Sequence, residues 1–316
     1  MLYDILLGYF TPVQTTAMAM AVAFLLTFIT LNMRFGFLPQ DQGRAFAING
    51  ALSKGKLRGV GIVFVIDFII ASLIFLPLSF EYILYLIFLF LMMLSGYLDD
   101  ASEKPWNEYK KGLIDLVISV LTMVTFLKYN GTEVSFFTLQ FKIPYAVYFI
   151  LGVALIWIAV NVTNCSDGVD GLCGSLVVVT VMSYAIMFSE TLGSMATAGE
   201  ILCAVLLAYL YFNCSPSSML MGDAGSRALG FFIAILAMKS AHPFAYIVLS
   251  IVLIIDGGLG LIKVSLIRFC KIHIMTNLRT PIHDHVRKNM EWSDTQVVIR
   301  FVIVQIVVSI IFAALK

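Results

Sequence analysis

The chain has 316 residues, of which 60% are hydrophobic and 12% charged, and its mean hydropathy is +0.97. A soluble domain carries about 25% charged residues, so this composition excludes a soluble globular protein and makes lipid the solvent for most of the chain. A formal net charge of +1 and no basic, aromatic-interleaved arm exclude a nucleic-acid partner, and the five cysteines form no CxxC pair that would suggest zinc.

A membrane span needs roughly 20 apolar residues. On that measure about ten helices are predicted, near 13–33, 59–79, 82–98, 112–128, 144–164, 171–189, 197–213, 227–241, 243–267 and 295–315. No basic segment precedes the first, which reads as a retained span rather than a cleaved leader. Gly257-Gly258 inside the ninth predicts a kink. The chain reads as an all-α polytopic membrane protein, a single domain over 1–316 with both termini on one side.

The connections alternate in character. Those near 80–82, 129–143, 190–196 and 241–243 are short or polar. The opposite set, at 34–58, 99–111, 161–170, 213–226 and 268–294, holds most of the charge. Of the 20 lysines and arginines only Lys128, Lys142, Lys239 and Lys316 fall on the first side, so the positive-inside rule makes the rich face cytoplasmic and both termini external. Arg44 counts among the cations of the rich face. Most acidic residues crowd that face too, which the rule does not require. A face rich in both signs predicts a site assembled from several loops for a charged, metal-chelating molecule.

In chain order, Lys54, Lys56 and Arg58 precede the second span and read as membrane anchors or phosphate partners. Asp67 lies in mid-span with no evident partner. Gly96-Tyr97-Leu98-Asp99-Asp100 closes the third span; adjacent helical positions point about 100° apart, so the two carboxylates are expected to serve different partners. Lys110 and Lys111 open the fourth. Asn161-Val162-Thr163-Asn164-Cys165-Ser166-Asp167-Gly168-Val169-Asp170-Gly171 follows the fifth. If helical, Asn164, Asp167 and Asp170 share one face, extended by Asn161; the alternative is a glycine-rich turn with capping residues. Asn213 closes the seventh span, where an amide can read a base or sugar edge. Met221-Gly222-Asp223-Ala224-Gly225-Ser226 opens the eighth, with Asp223 at the expected helix N-terminus, either as an N-cap or as the anchor of an anionic or metal-bearing ligand at free backbone N–H groups. Thr280-Pro281-Ile282-His283-Asp284-His285 lies in the last rich loop; His283 and His285 share a face only if this segment is extended.

Four such motifs in this order resemble the polyprenyl-phosphate N-acetylhexosamine-1-phosphate transferases. Within them the match is best to the branch that transfers phospho-N-acetylmuramoyl-pentapeptide, and it covers nearly the whole chain, including the tail Glu291-Trp292-Ser293 through Val297 to Arg300-Phe301. The resemblance implies a ten-helix, commonly homodimeric enzyme of the bacterial inner membrane with a cytoplasmic active site. It implies Mg²⁺-dependent transfer from UDP-MurNAc-pentapeptide to undecaprenyl phosphate, giving lipid I and UMP in peptidoglycan synthesis. By motif position, Asp223 is the metal ligand, Asp99 and Asp100 the catalytic pair, and Asn164, Asp167, Asp170, Asn213, His283 and His285 the holders of the nucleotide-sugar; Lys111 and Lys54 lie in the polar cleft, and Asn161 extends the substrate-binding line.

Two departures stand out. The family's histidine triplet is here His283-Asp284-His285, and its Gly-Thr-Pro-Thr-Met-Gly-Gly before the second span is replaced by Gly55-Lys56-Leu57-Arg58-Gly59-Val60-Gly61. The alternative enzyme is a UDP-GlcNAc:undecaprenyl-phosphate GlcNAc-1-phosphate transferase for another envelope polymer. The alternative from another class is a membrane transporter, which predicts polar groups in mid-bilayer on paired broken helices rather than at one face.

Overall fold

The structure, a computed structural model, describes residues 2–43, 53–137 and 139–316; Arg44 lies outside them. A short α1 (Leu2–Leu7) is followed by α2 (Pro12–Asn32), which opens on a capping box between Thr11 and Gln14. Then come α3 (Gly61–Phe75), α4 (Phe80–Asp100) and α5 (Glu108–Tyr129), the last two capped by the side chains of Ser79 and Asn107. Strands β1 (Glu133–Phe136) and β2 (Leu139–Lys142) precede α6 (Tyr145–Cys165), α7 (Leu172–Met187), the one-turn α8 (Ser189–Leu192), α9 (Ser194–Asn213) and α10 (Gly222–Lys239).

The next rod is broken, as Gly257-Gly258 predicts. It runs through α11 (Ala245–Leu249), α12 (Ile251–Leu253), a π-helical turn at Ile254–Gly258, α13 (Leu259–Ser265) and a second π turn at Leu266–Cys270. Helix α14 (Ile282–Asn289) and α15 (Asp294–Leu315, capped by Ser293 and Gln296) complete the chain. Each of the ten predicted segments is helical. Six helices, α2, α4, α5, α6, α9 and α15, are long and apolar enough to cross a membrane by length and composition, and α3 and α7 are shorter apolar helices.

The protein is thus a helical, multi-pass membrane protein, with three local departures from the sequence reading. The connection at 129–143 folds into an antiparallel hairpin pairing Glu133 with Lys142 and Phe136 with Leu139. Ser135 N–H donates to Ala241 O at 2.8 Å, and that tertiary bond had no local signal. Helix α10 starts at Gly222 rather than with the apolar span at 227, because Asp223 and Arg227 are paired inside the protein. The segment after Pro281 is helical rather than a loop.

Helix α10 is the central pillar, buried at every residue from Gly222 to Met238. Backbone meets backbone around its first turn. A Cβ on Gly61 of α3 would lie 2.7 Å from Ala224 C, and one on Gly96 of α4 would lie 2.6 Å from Ala224 N; only glycine admits approaches this close. Asp67 finds its partner here too, since Thr30 Oγ1 donates to its Oδ2 at 2.6 Å.

Candidate active site

The first residues of α3, α5 and α10 and the last of α4, α6 and α9 meet at one end of the bundle, around a cavity of about 630 Å³. The rich connections named from the sequence converge there. Its lining alternates in sign: Asp41, Asp167, Asp170, Asp223, Asp284 and Asp294 against Lys56, Arg58, Lys111 and Arg287.

Asp223 occupies the centre, in the first turn of α10. The turn before it needs Gly222, whose φ is +67° and whose α-carbon packs against the Asp100 carboxylate. Lys111 Nζ donates to Asp223 Oδ2 at 3.1 Å, and Asn164 Nδ2 lies 3.4 Å from the same oxygen. Ser226 Oγ, one turn along α10, donates to Asn164 Oδ1 at 2.8 Å and so turns the amide nitrogen toward Asp223. Burial alone would raise the pKa of Asp223, but Lys111, Arg227 and Arg58 outweigh it and hold the carboxyl below its ordinary value. The Arg227 guanidinium is buried against Asp115.

Asp99 and Asp100 take different partners, as their angular separation demands. Asp99 Oδ1 accepts from Trp106 N–H at 2.7 Å, and its other oxygen pairs with Lys111. Asp100 Oδ1 accepts from Arg58 Nε at 2.8 Å, and Oδ2 from Ala224 N–H at 3.2 Å. Neither carboxylate lines the cavity; each stands behind a cation that does.

Arg58 joins three carboxylates. Besides Asp100 it donates to Asp41 Oδ2 at 3.2 Å, and its Nη2 stands 3.8 Å from Asp223 Oδ1. Burial opposes the charge on this guanidinium, but Asp100, Asp223 and Asp41 more than offset it and raise its pKa above the ordinary value.

Asn164, Asp167 and Asp170 all face the cavity, though not as one helical face. Helix α6 ends at Cys165 and the chain turns through Asp167–Asp170. Gly168 leaves the space into which the His283 ring packs. Asp170 is fixed by Lys56 Nζ at 3.3 Å and by Ser217 N–H at 2.9 Å.

Asn213 lines the cavity and also braces the scaffold. Its Oδ1 accepts from Gly171 N–H at 2.9 Å and its Nδ2 donates to Met219 O at 2.8 Å, which engages both ends of the amide. Asn161 does not line the cavity; it donates to Trp157 O at 2.8 Å. Because α14 is helical, His283 and His285 diverge. His283 donates its backbone N–H to Asp256 Oδ1 at 2.7 Å, and its Nδ1 lies 2.8 Å from Asp256 Oδ2. The opposite edge of the ring, Nε2 included, packs against Gly168 in the cavity wall. His285 Nδ1 accepts from Arg279 N–H at 3.2 Å, outside the lining set. Asp284, at the family's middle histidine, lines the cavity and pairs with Arg287 at 3.5 Å. Lys54 is exposed and absent from the lining, whereas Lys56 and Arg58, two and four residues on, are in it.

Among the described residues no three carboxylate, imidazole or thiolate groups gather into a metal cage. Mg²⁺ does not need one, since it is held by one or two carboxylates plus substrate phosphates. Asp223 fits that requirement: it lines the cavity, and its Oδ1 makes no hydrogen bond among the described residues.

A multi-pass membrane protein with a sign-alternating polar cavity at its helix ends and an ionised aspartate between two cations is built to bind a phosphorylated substrate at the membrane surface. Residues 82–241 match the pattern of glycosyl transferase family 4. The chain is 38% identical to a phospho-N-acetylmuramoyl-pentapeptide-transferase of Treponema pallidum (strain Nichols), over 94% of this chain and 89% of that protein. It is 32% identical to the transferase of the same name from Clostridium perfringens strain 13, over 70% of this chain and 71% of that one. A Bartonella quintana transferase of that name is 25% identical over 87% of this chain and 84% of the relative. The chain belongs to glycosyl transferase family 4, among the phospho-N-acetylmuramoyl-pentapeptide-transferases.

Proposed function

We infer that the chain transfers phospho-MurNAc-pentapeptide from UDP-MurNAc-pentapeptide to undecaprenyl phosphate, yielding lipid I and UMP. An oxygen of the lipid phosphate forms a bond to the phosphorus that carries the sugar. The bond from that phosphorus to the bridging oxygen breaks, and its electron pair leaves with UMP. A phosphate monoester is largely dianionic near neutral pH, so the attack needs no proton removed. What the reaction needs is in-line positioning and neutralised charge.

The observation that carries this reading is Asp223, ionised between Lys111 and Arg58 at the heart of the cavity. The diphosphate lies here. Mg²⁺ bound by Asp223 would supply further neutralisation of that diphosphate. Asp99 and Asp100 act through the cations they hold, Lys111 and Arg58. Asn164, Asp167, Asp170 and His283 line the rest of the donor site, with Asp256 fixing the His283 ring in its wall.

The finer topology belongs to the same reading: ten spans in one domain over 1–316, in the inner membrane, with the cavity cytoplasmic and both termini outside. Its support is the lysine and arginine bias of the rich connections. Homodimerisation rests on the resemblance alone.

The test uses detergent-purified protein with undecaprenyl phosphate and Mg²⁺, offered UDP-MurNAc-pentapeptide or UDP-GlcNAc, with UMP release measured for wild type and Asp223→Asn. The expected result is UMP from the muropeptide donor alone, reduced by at least about a hundredfold in the variant. UMP from UDP-GlcNAc alone would refute the donor assignment, and an unimpaired Asp223→Asn would refute the siting.

A further inference from the structure

The segment before α3 is where the chain departs furthest from the family pattern, and that departure carries two cations into the cavity. Its backbone is held in an extended path. Asp41 N–H donates to Lys56 O, Arg58 N–H to Pro39 O and Leu220 N–H to Leu57 O, each at 2.8 Å. Alternate residues of an extended segment share a face. Lys56 and Arg58 therefore both turn to the cavity, while Lys54 lies in the turn before this segment, beside Gly55 at φ +85°, and is left at the surface.

A guanidinium has five N–H donors in a rigid fork. In Arg58, Nε is used by Asp100 and Nη1 by Asp41. Nη2 makes no hydrogen bond among the described residues, and it stands 3.8 Å from Asp223 Oδ1 at the cavity wall. The fork is thus braced from behind by two carboxylates, and its unused donors sit beside Asp223 Oδ1, which makes no hydrogen bond among the described residues.

We propose that Arg58 is a catalytic cation of this transferase, its Nη2 donating to a non-bridging oxygen of the donor diphosphate. It fills a position where the family pattern has a threonine. The proposal rests on the placing of the diphosphate beside Asp223. Arg58 transfers no proton; it holds the charge that accumulates as the phosphorus–oxygen bond to UMP breaks. Asp100 and Asp41 are its positioning residues. An ammonium cannot reproduce this: three donors on a flexible stem cannot brace against two carboxylates and still present a fixed donor pair to phosphate.

The experiment compares Arg58→Lys with wild type in UMP release from UDP-MurNAc-pentapeptide, with chromatographic homogeneity and melting temperature as the check on folding. Lysine keeps the positive charge among the carboxylates, so a purely structural role predicts wild-type turnover. The catalytic role predicts a kcat lower by about tenfold to a hundredfold, with KM for the donor changed by less than about threefold. Wild-type kcat in Arg58→Lys overturns the proposal. If the lysine variant does not stay homogeneous, Arg58→Ala with millimolar guanidinium decides: restored UMP release supports the role, and none overturns it. Asp223→Asn is assayed beside these. An active Asp223→Asn means the diphosphate is sited wrongly, whereas an inactive Asp223→Asn with an unimpaired Arg58→Lys removes Arg58 alone.

Discussion

Replacing Gly96 by alanine tests whether the crossing of α4 over α10 sets the geometry of the site. The added Cβ would lie 2.6 Å from Ala224 N, and closer to the Asp223 carbonyl, where ordinary contact is 3.4–4 Å. Both neighbours are backbone, so no side chain can rotate out of the way. The helices must part by at least about 0.8 Å, the difference between those distances, and overpacking of this kind costs about 1–3 kcal/mol. The consequence for catalysis is larger. Asp99 and Asp100 follow within four residues on α4, and Asp223 is the residue being pushed, so the parting falls between Lys111 and Arg58 on one side and Asp223 on the other. A misplacement of about 1 Å can cost a hundredfold in rate. Gly96→Ala is therefore expected to lose about tenfold to a hundredfold in kcat/KM for UMP release, with a lowered melting temperature in detergent. Gly112→Ala is the control: the nearest atom its Cβ meets is Trp157 Cζ2 at 3.8 Å, an ordinary contact, and its activity stays within about twofold of wild type. A Gly96→Ala enzyme with wild-type kcat/KM would refute the claim that this crossing positions the site.

Asp256→Asn keeps the shape but removes the charged acceptor for two His283 N–H groups, so KM for the nucleotide-sugar rises about tenfold; an unchanged KM would show that the ring needs no such partner. Arg227→Leu strands the Asp115 carboxylate inside the bundle and lowers stability by about 3–5 kcal/mol. The double replacement with Asp115→Leu recovers most of that loss in thermal melts, and equal destabilisation of single and double variants would argue against a buried pair.

Much of the fold was legible because hydropathy is local. Ten apolar segments announce ten helices, and the kink at Gly257-Gly258 follows from the residues that make it. The hairpin at Glu133–Lys142 was not legible, because its anchoring bond comes from Ala241, far off in the chain. The apolar span near 227–241 falls short of α10 for a related reason, although the helix N-terminus expected at Asp223 is there. Asp223 and Arg227 look like loop residues in a hydropathy profile, and only their partners, Lys111 and Asp115, make them interior.

The motifs of the site were legible as chemistry but not as roles. Asn213 lines the cavity with the amide the sequence offers for recognition, and the same amide braces the backbone of Gly171 and Met219. His283 and His285 looked like a pair and are separated by a helix. Lys54, Lys56 and Arg58 are indistinguishable as sequence, since any cation beside a span reads as a membrane anchor. Their distinction lies in whether each falls in the extended segment or in the turn before it, and the extended segment is set by hydrogen bonds to Pro39, Asp41 and Leu220.

That pairing pattern also accounts for how so much charge is kept at the end of an apolar bundle. Asp99 is matched by Lys111, Asp100 by Arg58 and Asp170 by Lys56, and Asp223 is shared between Lys111 and Arg58. A buried charge left without a partner is far more costly than a buried pair; these four carboxylates share three cations, so the resting site keeps an excess of negative charge. A diphosphate entering with a divalent cation adds almost no net charge. A divalent cation held by Asp223 would leave Lys111 and the Nη2 of Arg58 to meet phosphate while Asp99 and Asp100 keep their partners. The diphosphate alone would add its negative charge to a site already rich in carboxylates, so the electrostatics favour its entering together with a divalent cation.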